Sequence, residues 1–335
     1  MMASLTPQVE VKSDAESFGD NWNRFWFTPS DAFTLSVLRV LSGVVALWTI
    51  LSYGADLDRF FGPAGMFPVG LVNEVQTVAF ERPIRWSYLD YLNSSSLLTT
   101  FHWGAVAVLA LYTVGLFTRI TSVLSLIVVL SYCHRGPLLT SQFEPILTFV
   151  MFYLCLGPSG RYLSLDRWRA LQSIKSLASS DLRARNVLSP LPTSGATVVT
   201  RLLQIHIAIV HFMMFLDQLY GDAWWNGLAT YWLSFNTRNS LLDFTWLQDS
   251  SVDAIVLLAN AWTLGTVGYE LAFALLVWKP LARRILLPIG AVVWGSLALL
   301  TGLVTFSAMM MIASLAFVPP DSMRRVLGGK QAVAS

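Results

Sequence analysis

The chain has 335 residues, of which 55% are hydrophobic and 13% are charged, and its formal net charge is +2. Soluble domains carry about 25% charged residues, so this composition excludes a soluble globule, and its 13 Trp and 10 Tyr suit a membrane protein with aromatic belts. The sequence has no basic run, RNP-type motif or zinc-finger spacing, which excludes the common modes of nucleic-acid binding.

Apolar segments, taken in chain order, predict the membrane spans. They lie at about 32–53, 97–117, 120–133, 143–157, 200–220, 254–278 and 285–318. A span needs about 20 residues, so the last segment is too long for one helix and is expected to turn near Thr301–Gly302. The prediction is an all-α, polytopic membrane helix bundle over 32–318, with about eight transmembrane helices, tails at 1–31 and 319–335, and no separate soluble domain.

The distribution of Lys and Arg predicts the orientation, because cytoplasmic loops are enriched in these residues. The loops that this topology places inside carry Lys12, Arg24, Arg119, Arg161, Arg167, Arg169, Lys175, Arg183, Arg185, Lys279, Arg283, Arg284, Arg324, Arg325 and Lys330. The loops that it places outside carry Arg59, Arg82, Arg85, Arg135 and Arg238. This bias predicts a multi-pass protein of the cell (inner) membrane whose N- and C-termini are both cytoplasmic.

The fifth segment carries a polar stripe. Gln204, His211 and Gln218 recur every seven residues, which returns a helix to within about 20° of the same face. Lipid cannot satisfy their hydrogen-bonding groups, so we expect all three to face the interior of the bundle. His206 points away from this stripe.

Two charged residues lie deep in apolar segments. Glu270 is sixteen residues into the sixth segment, where a carboxylate needs a partner or stays protonated. Arg39 is seven residues into the first segment, near enough to the inner surface to extend its guanidinium there.

Other polar groups gather near the outer ends of the segments. His134 and Arg135 follow the third segment, Glu144 opens the fourth, and Asp217 and Gln218 close the fifth. Together they could form an acid/base site or an anion clamp; alternatively, they are solvated or pair with lipid headgroups.

Cys133 and Cys155 lie toward opposite ends of neighbouring segments, so they are predicted to be free thiols. No metal site is predicted.

Three stretches and one helix carry a family resemblance. FWFTPSDAFTLSVLRVLSGVVALW places Arg39 and Gly43 in an R-x-x-x-G pattern, and LCLGPSGRYLSLDRW contains a P-x-G…SLD pattern. RLLQIHIAIVHFMMFLDQLYGDAWWNGLA is followed later by YELAFALLVW, which contains Glu270. These stretches resemble the HTTM (horizontally transferred transmembrane) family, which is similar to the membrane part of vitamin K-dependent gamma-carboxylase. The matching positions in the third stretch are Leu219, Gly221, Trp224, Gly227 and Ala229.

The resemblance implies a site and a ligand. In carboxylases of this family a lysine, implied to be the base that deprotonates vitamin K hydroquinone, stands at the position of Gln218. A neutral amide cannot take that proton, and the family's tyrosine one heptad earlier is His211 here, while its later-helix histidine corresponds to Trp294. If proton abstraction takes place, His211 is the expected base.

Two functional hypotheses follow. The first is a carboxylase-like cavity in the outer half of the membrane, formed around Gln218, His211 and Glu144, which takes a quinone of vitamin K type or a lipid as ligand, with or without chemistry. The alternative is a non-catalytic membrane component or a transporter-like protein, in which Arg39, His211 and Glu270 only join helices. The sequence leaves open whether the chain is an enzyme.

Overall fold

The computed structural model describes residues 18–79, 86–174, 187–234, 241–242 and 252–327. These residues form an all-α bundle, in which the only extended pairing among them is an isolated antiparallel bridge between Ser30 and Thr193. The principal helices are α1 (Phe33–Tyr53), α2 (Ser95–Val114), α3 (Thr118–Arg135), α4 (Phe143–Leu156), α5 (Ser194–Tyr220), α6 (Val252–Leu276), α7 (Pro280–Thr301) and α8 (Val304–Ser314). The all-α prediction is confirmed.

Shorter helices connect or flank these eight. α-Helices lie at Phe18–Phe27, Leu57–Phe61, Val69–Glu74, Leu165–Ser173, Asp222–Trp225, Ala229–Ser234 and Pro320–Val326. Turns of 3₁₀-helix lie at Gly54–Asp56, Tyr88–Tyr91 and Leu315–Phe317, and a π-helical turn lies at Val75–Ala79.

Length and apolar composition fit a membrane-embedded protein. Five helical stretches within the described residues are long and apolar enough to cross a membrane, and two shorter apolar helices pack with them. The five are Phe33–Phe61, Ser95–Val114, Ser194–Tyr220, Asp253–Leu276 and Pro280–Thr301, and the shorter two are Phe143–Leu156 and Val304–Phe317. The total of about eight spans stays a prediction.

Local sequence signals mark several helix ends. The hydroxyl of Ser94 accepts a hydrogen bond from the amide of Leu97 and caps α2, and Thr193 caps α5 in the same way. Between α7 and α8, Gly302 adopts a left-handed conformation with φ of 71°, which glycine tolerates because it has no Cβ. The predicted break near Thr301–Gly302 is confirmed.

The ends of the helices gather in two layers. One layer contains the Asp31–Arg324 ion pair at 2.5 Å and the Ser30–Thr193 bridge; we call it the Arg39 end. At the opposite end, which contains Gln218, the hydroxyl of Ser87 donates to the carbonyl of Ser131; we call it the Gln218 end. Which end is cytoplasmic stays a prediction. Residues 1–17 and 328–335 of the tails lie outside the described residues. So do eight of the basic residues on which the predicted orientation rests: Lys12, Arg82, Arg85, Lys175, Arg183, Arg185, Arg238 and Lys330.

The expectation that Arg39 extends to the membrane surface is wrong. Its side chain is completely buried and donates to four main-chain carbonyls: those of Tyr112 at 2.5 Å, Thr113 at 3.0 Å, Ser159 at 3.2 Å and Leu163 at 2.5 Å. The last carbonyls of a helix have no partners within the helix and carry partial negative charge. Arg39 therefore completes the end of α2 and ties it to the loop after α4.

Asp166 supports the same corner from the loop side. Its carboxylate accepts hydrogen bonds from the amides of Phe117 and Thr118, both at 2.9 Å, and so satisfies the first turn of α3. A Cβ at Gly160 would lie 2.1 Å from the hydroxyl oxygen of Thr118, so this approach needs glycine. The R-x-x-x-G and P-x-G…SLD stretches thus meet in one hydrogen-bonded corner.

Gly43 allows α1 and α2 to pack closely. A Cβ at this position would lie 2.6 Å from Oγ1 and 3.1 Å from the Cα of Thr113. We expect Gly43→Ala to destabilise the bundle by about 1–3 kcal/mol, as overpacking does. Unfolding of detergent-solubilised protein by heat or denaturant measures the change.

Gly104 provides the matched control for this prediction. It also lies in α2, but a Cβ there would meet no atom within 4 Å. Gly104→Ala should be neutral or stabilise by up to about 1 kcal/mol, because alanine favours the helix. Equal losses of stability from both substitutions would contradict the role of Gly43.

Cys133 and Cys155 are both free, as predicted.

Candidate functional site

The polar stripe on α5 faces the interior. Gln204, His211 and Gln218 are all buried, which confirms this prediction. Gln204 has a structural role, because its amide nitrogen donates to the carbonyl of Ala316 at 2.8 Å and its oxygen accepts from Arg201 at 2.9 Å. The functional interest of the stripe therefore rests on His211 and Gln218.

His211 pairs with Glu270 across the interface between α5 and α6. The imidazole Nδ1 forms a short hydrogen bond with Oε2 of Glu270, and both side chains are 0% exposed. The expectation that Glu270 needs a partner is thereby met. With Glu270 ionised, Nδ1 carries the proton and donates it, which leaves Nε2 with a free lone pair.

Aromatic side chains enclose this pair. The ring of Phe273 stacks on the imidazole with a centroid distance of 3.9 Å, and the rings of Tyr269 and Trp294 lie at 5.7 and 5.8 Å. A Cβ at Gly290 would be only 2.3 Å from the hydroxyl oxygen of Tyr269, so glycine makes the room for this ring. We call His211, Glu270, Tyr269, Phe273 and Trp294 the aromatic box.

Two polar atoms of the aromatic box have no hydrogen-bond partner among the described residues. These atoms are Nε2 of His211 and Oε1 of Glu270, whereas the hydroxyl of Tyr269 and the indole of Trp294 interact with each other. An unsatisfied buried polar group costs about 1–3 kcal/mol, and native proteins contain few of them. Two such atoms on one buried pair indicate a place where a further polar group can bind.

The pair has the arrangement of a general base. A carboxylate bound to one imidazole nitrogen fixes the orientation of the ring and stabilises the imidazolium that forms when the other nitrogen takes a proton. The surrounding aromatic rings exclude water and strengthen this interaction. His211 and Glu270 can therefore act together in proton transfer, which neither residue indicated alone.

Gln218 lies one heptad beyond His211, about 10.5 Å along α5. Its side chain is buried, and its Oε1 has no partner among the described residues. The main-chain carbonyl of Gln218 accepts from the amide of Gly221 at 3.3 Å, where α5 ends. The position is thus inside the protein, as a catalytic position would be, but its side chain is an amide.

The family-like cluster 219–229 forms the turn after α5. The indole of Trp225 donates to the carbonyl of Leu219, and the amide of Trp224 donates to that of Gly221 at 2.9 Å. Gly227 has φ of 71°, and a Cβ there would lie 2.9 Å from the side-chain oxygen of Asn260 on α6. Ala229 is buried. The matching residues thus serve the shape of this turn and its contact with α6.

Glu144 lies in a different place. It is buried between α1, α3 and α4, where its Oε2 accepts from the amide of Ser141 at 2.8 Å. It lines a cavity of about 10 Å³ together with Tyr53, Tyr132 and Cys133, which is room for about one water molecule. A cavity shared by Glu144, His211 and Gln218 is not supported, because His211 lies between α5, α6 and α7.

The remaining charges near this end have separate roles. Arg135 is buried and donates to the carbonyls of Phe67 and Phe61, so it holds the loop after α1 rather than facing solvent. Asp217 is exposed, in line with the solvated alternative. The predicted anion clamp is therefore not assembled.

Comparison with known proteins adds no assignment. No family model matches the chain, and neither a curated protein nor a solved structure is detectably similar to it. The likeness to the HTTM family therefore rests on the sequence stretches, and the chemistry rests on the geometry of the aromatic box. Sequence reasoning named both His211 and Glu270 but missed their pairing; the signal was the presence of one buried ionisable group in each of two consecutive apolar segments.

Proposed function

We propose that this chain is a multi-pass membrane protein of HTTM type that binds a quinone in the aromatic box. The observation that carries the proposal is the buried His211–Glu270 pair, whose outer atoms lack partners among the described residues. All eight principal helices cross the membrane in this proposal, and the predicted inner-membrane location gives the ligand access through the lipid.

The chemistry of the box suits a quinone. Quinones are flat and apolar, and they carry two oxygens that need hydrogen-bond donors when buried. The indole of Trp294 and the hydroxyl of Tyr269 can donate, and aromatic rings stack favourably on a flat ligand. Because Phe273 already stacks on His211 at 3.9 Å, a ligand enters only when the rings of the box move apart.

The pair also suits the reduced form of the ligand. Nε2 of His211 would accept the proton of a hydroquinone hydroxyl, giving the quinolate anion, and the imidazolium formed would be stabilised by Glu270. This step would perform the role that the family resemblance assigns to a lysine at the position of Gln218. The pair thereby supplies the carboxylate that an isolated imidazole lacks.

Mass spectrometry of the detergent-extracted protein tests quinone binding. We expect a quinone to co-purify with the wild type, and His211→Ala and Glu270→Gln to reduce its amount about tenfold or more. His206→Ala is the matched control, because His206 lies outside the box and its Nδ1 is 3.1 Å from the hydroxyl of Tyr153. A wild type without quinone, or equal amounts in all variants, would contradict the proposal.

Hydroquinone-dependent epoxidation distinguishes catalysis from binding. Activity in the wild type that His211→Ala abolishes would support the pair as the base. Activity that appears only in Gln218→Lys would place the competent base at position 218 and leave the pair a binding role.

One observation favours the non-catalytic alternative. His211 and Glu270 are completely enclosed, and Arg39 shows that this bundle uses a buried charged residue to join its elements. In that case the pair links α5 and α6, and neither quinone nor activity would be found in any variant.

A further inference from the structure

A second pocket lies at the Gln218 end, apart from the aromatic box. It has a volume of about 200 Å³ and is formed by the chain that follows α1 and by the first turns of α2. Its polar and aromatic lining consists of Asp56, Asp58, Arg59, Thr99, His102 and Trp103. The proposed quinone site uses none of these residues.

His102 provides the buried wall of this pocket. Its side chain is only 1% exposed, and its Nδ1 lies 2.8 Å from the hydroxyl of Tyr132. Its Nε2 has no partner among the described residues, and a Cβ at Gly54 would lie 3.3 Å from this atom. The Tyr132 contact fixes the ring, and Nε2 is the buried, unpartnered atom of this lining residue, next to Gly54.

The charges of the pocket favour a cation. Two carboxylates and one guanidinium line it, and Arg59 already lies 3.7 Å from Asp56, so the carboxylate of Asp58 is the one available for a ligand. Trp103 is 57% exposed and offers an aromatic face, which attracts cations. A divalent metal is a poorer occupant, because no group of three suitable ligands occurs among the described residues.

We propose that this pocket binds a primary ammonium group. The ammonium donates to the carboxylate of Asp58 and to Nε2 of His102 and lies against the ring of Trp103. In this state Nδ1 of His102 carries the proton and donates it to the oxygen of Tyr132. The volume leaves room for the carbon atoms that bear the ammonium group.

Two sources supply this chemistry, the headgroup of an aminophospholipid and a free small amine. Trp103 lines the pocket and is exposed, and tryptophan is enriched at membrane–water interfaces. A lipid headgroup therefore fits the position, and the experiment distinguishes it from the free amine.

The experiment measures binding to the full-length protein in detergent. Native mass spectrometry compares short-chain phosphatidylethanolamine with phosphatidylcholine and phosphatidylglycerol, and calorimetry measures ethanolamine alone. We expect a Kd about tenfold lower for phosphatidylethanolamine than for the other two lipids. The trimethylated ammonium of phosphatidylcholine has no proton to donate, and phosphatidylglycerol has no ammonium group. Comparable affinity for ethanolamine alone would identify a free amine as the ligand, and a lipid-only response would identify the headgroup.

Variants locate the binding to this pocket. Asp58→Asn keeps the shape of an exposed side chain but removes its charge, and Gly54→Ala adds a methyl group next to Nε2 of His102; each should weaken binding about tenfold. Glu74→Gln, which removes an exposed carboxylate outside the pocket, should bind as the wild type does. Equal binding of all three lipids without a response to ethanolamine, or unchanged binding in both pocket variants with unaltered thermal unfolding, would overturn the proposal.

Discussion

Arg39→Met should destabilise the protein by about 4 kcal/mol or more. The substitution keeps most of the apolar volume but removes the donor of the carbonyls of Thr113, Ser159 and Leu163. The carbonyl of Tyr112 keeps only the amide of Gly115 as a donor. Hydrogen bonds from a charged group contribute about 1.5–3 kcal/mol each and do not add fully. Unfolding of detergent-solubilised protein in a denaturant titration measures the loss.

Two further variants make this prediction specific. Arg39→Lys retains the charge but has only three donors on a single nitrogen, which cannot reproduce the guanidinium fork, so its stability should fall between those of wild type and Arg39→Met. Arg119→Met, at an exposed position of the same end, should change stability by about 0.5 kcal/mol or less. No loss in Arg39→Met would show that the carbonyls find other partners. A loss of similar size in Arg119→Met would show that the effect is not specific to Arg39.

Breaking the His211–Glu270 pair from one side should cost more than removing it altogether. His211→Leu leaves the carboxylate of Glu270 buried without its partner, which should cost about 3–5 kcal/mol. The double variant His211→Leu/Glu270→Met replaces the pair with apolar side chains and should return to within about 1 kcal/mol of the wild type. Denaturant titrations of the quinone-free protein, arranged as a double-mutant cycle, measure the coupling.

The control for this cycle is His206→Leu. His206 is partly buried and contacts the hydroxyl of Tyr153, so its loss removes one neutral hydrogen bond and should cost about 1 kcal/mol. A double variant that is less stable than His211→Leu would contradict the pairing. This result would also weaken the proposal that the two side chains act together on a ligand.

Local patterns in the sequence predicted much of the fold. The apolar segments and the break at Gly302 follow from hydropathy, length and a glycine signal, all of which act over a few residues. The interior position of Gln204, His211 and Gln218 follows from the period of the helix, since residues spaced seven apart lie on the same helix face. These features depend on the segment itself and not on its neighbours.

The sequence does not predict the partners of the buried charged residues. Arg39 lies 120 residues from Ser159, and Glu270 lies 59 residues from His211; which groups meet depends on which helices are neighbours and on their rotation. For the same reason Glu144 was expected beside His211, whereas the packing of α4 places it in a cavity with α1 and α3.

An all-α protein with apolar helices and polar groups that lipid cannot accommodate follows from the amino-acid sequence, because hydrophobicity and helical period are local properties. The closure of α2 by Arg39, the burial of His211 and Glu270 as one pair, and the position of His102 at a separate pocket appear only in the folded structure. Each of them depends on the close packing of residues that lie far apart in the chain. Side-chain volumes set how closely these residues approach, and Gly43 and Gly290 leave room for a neighbouring side chain at the first two sites.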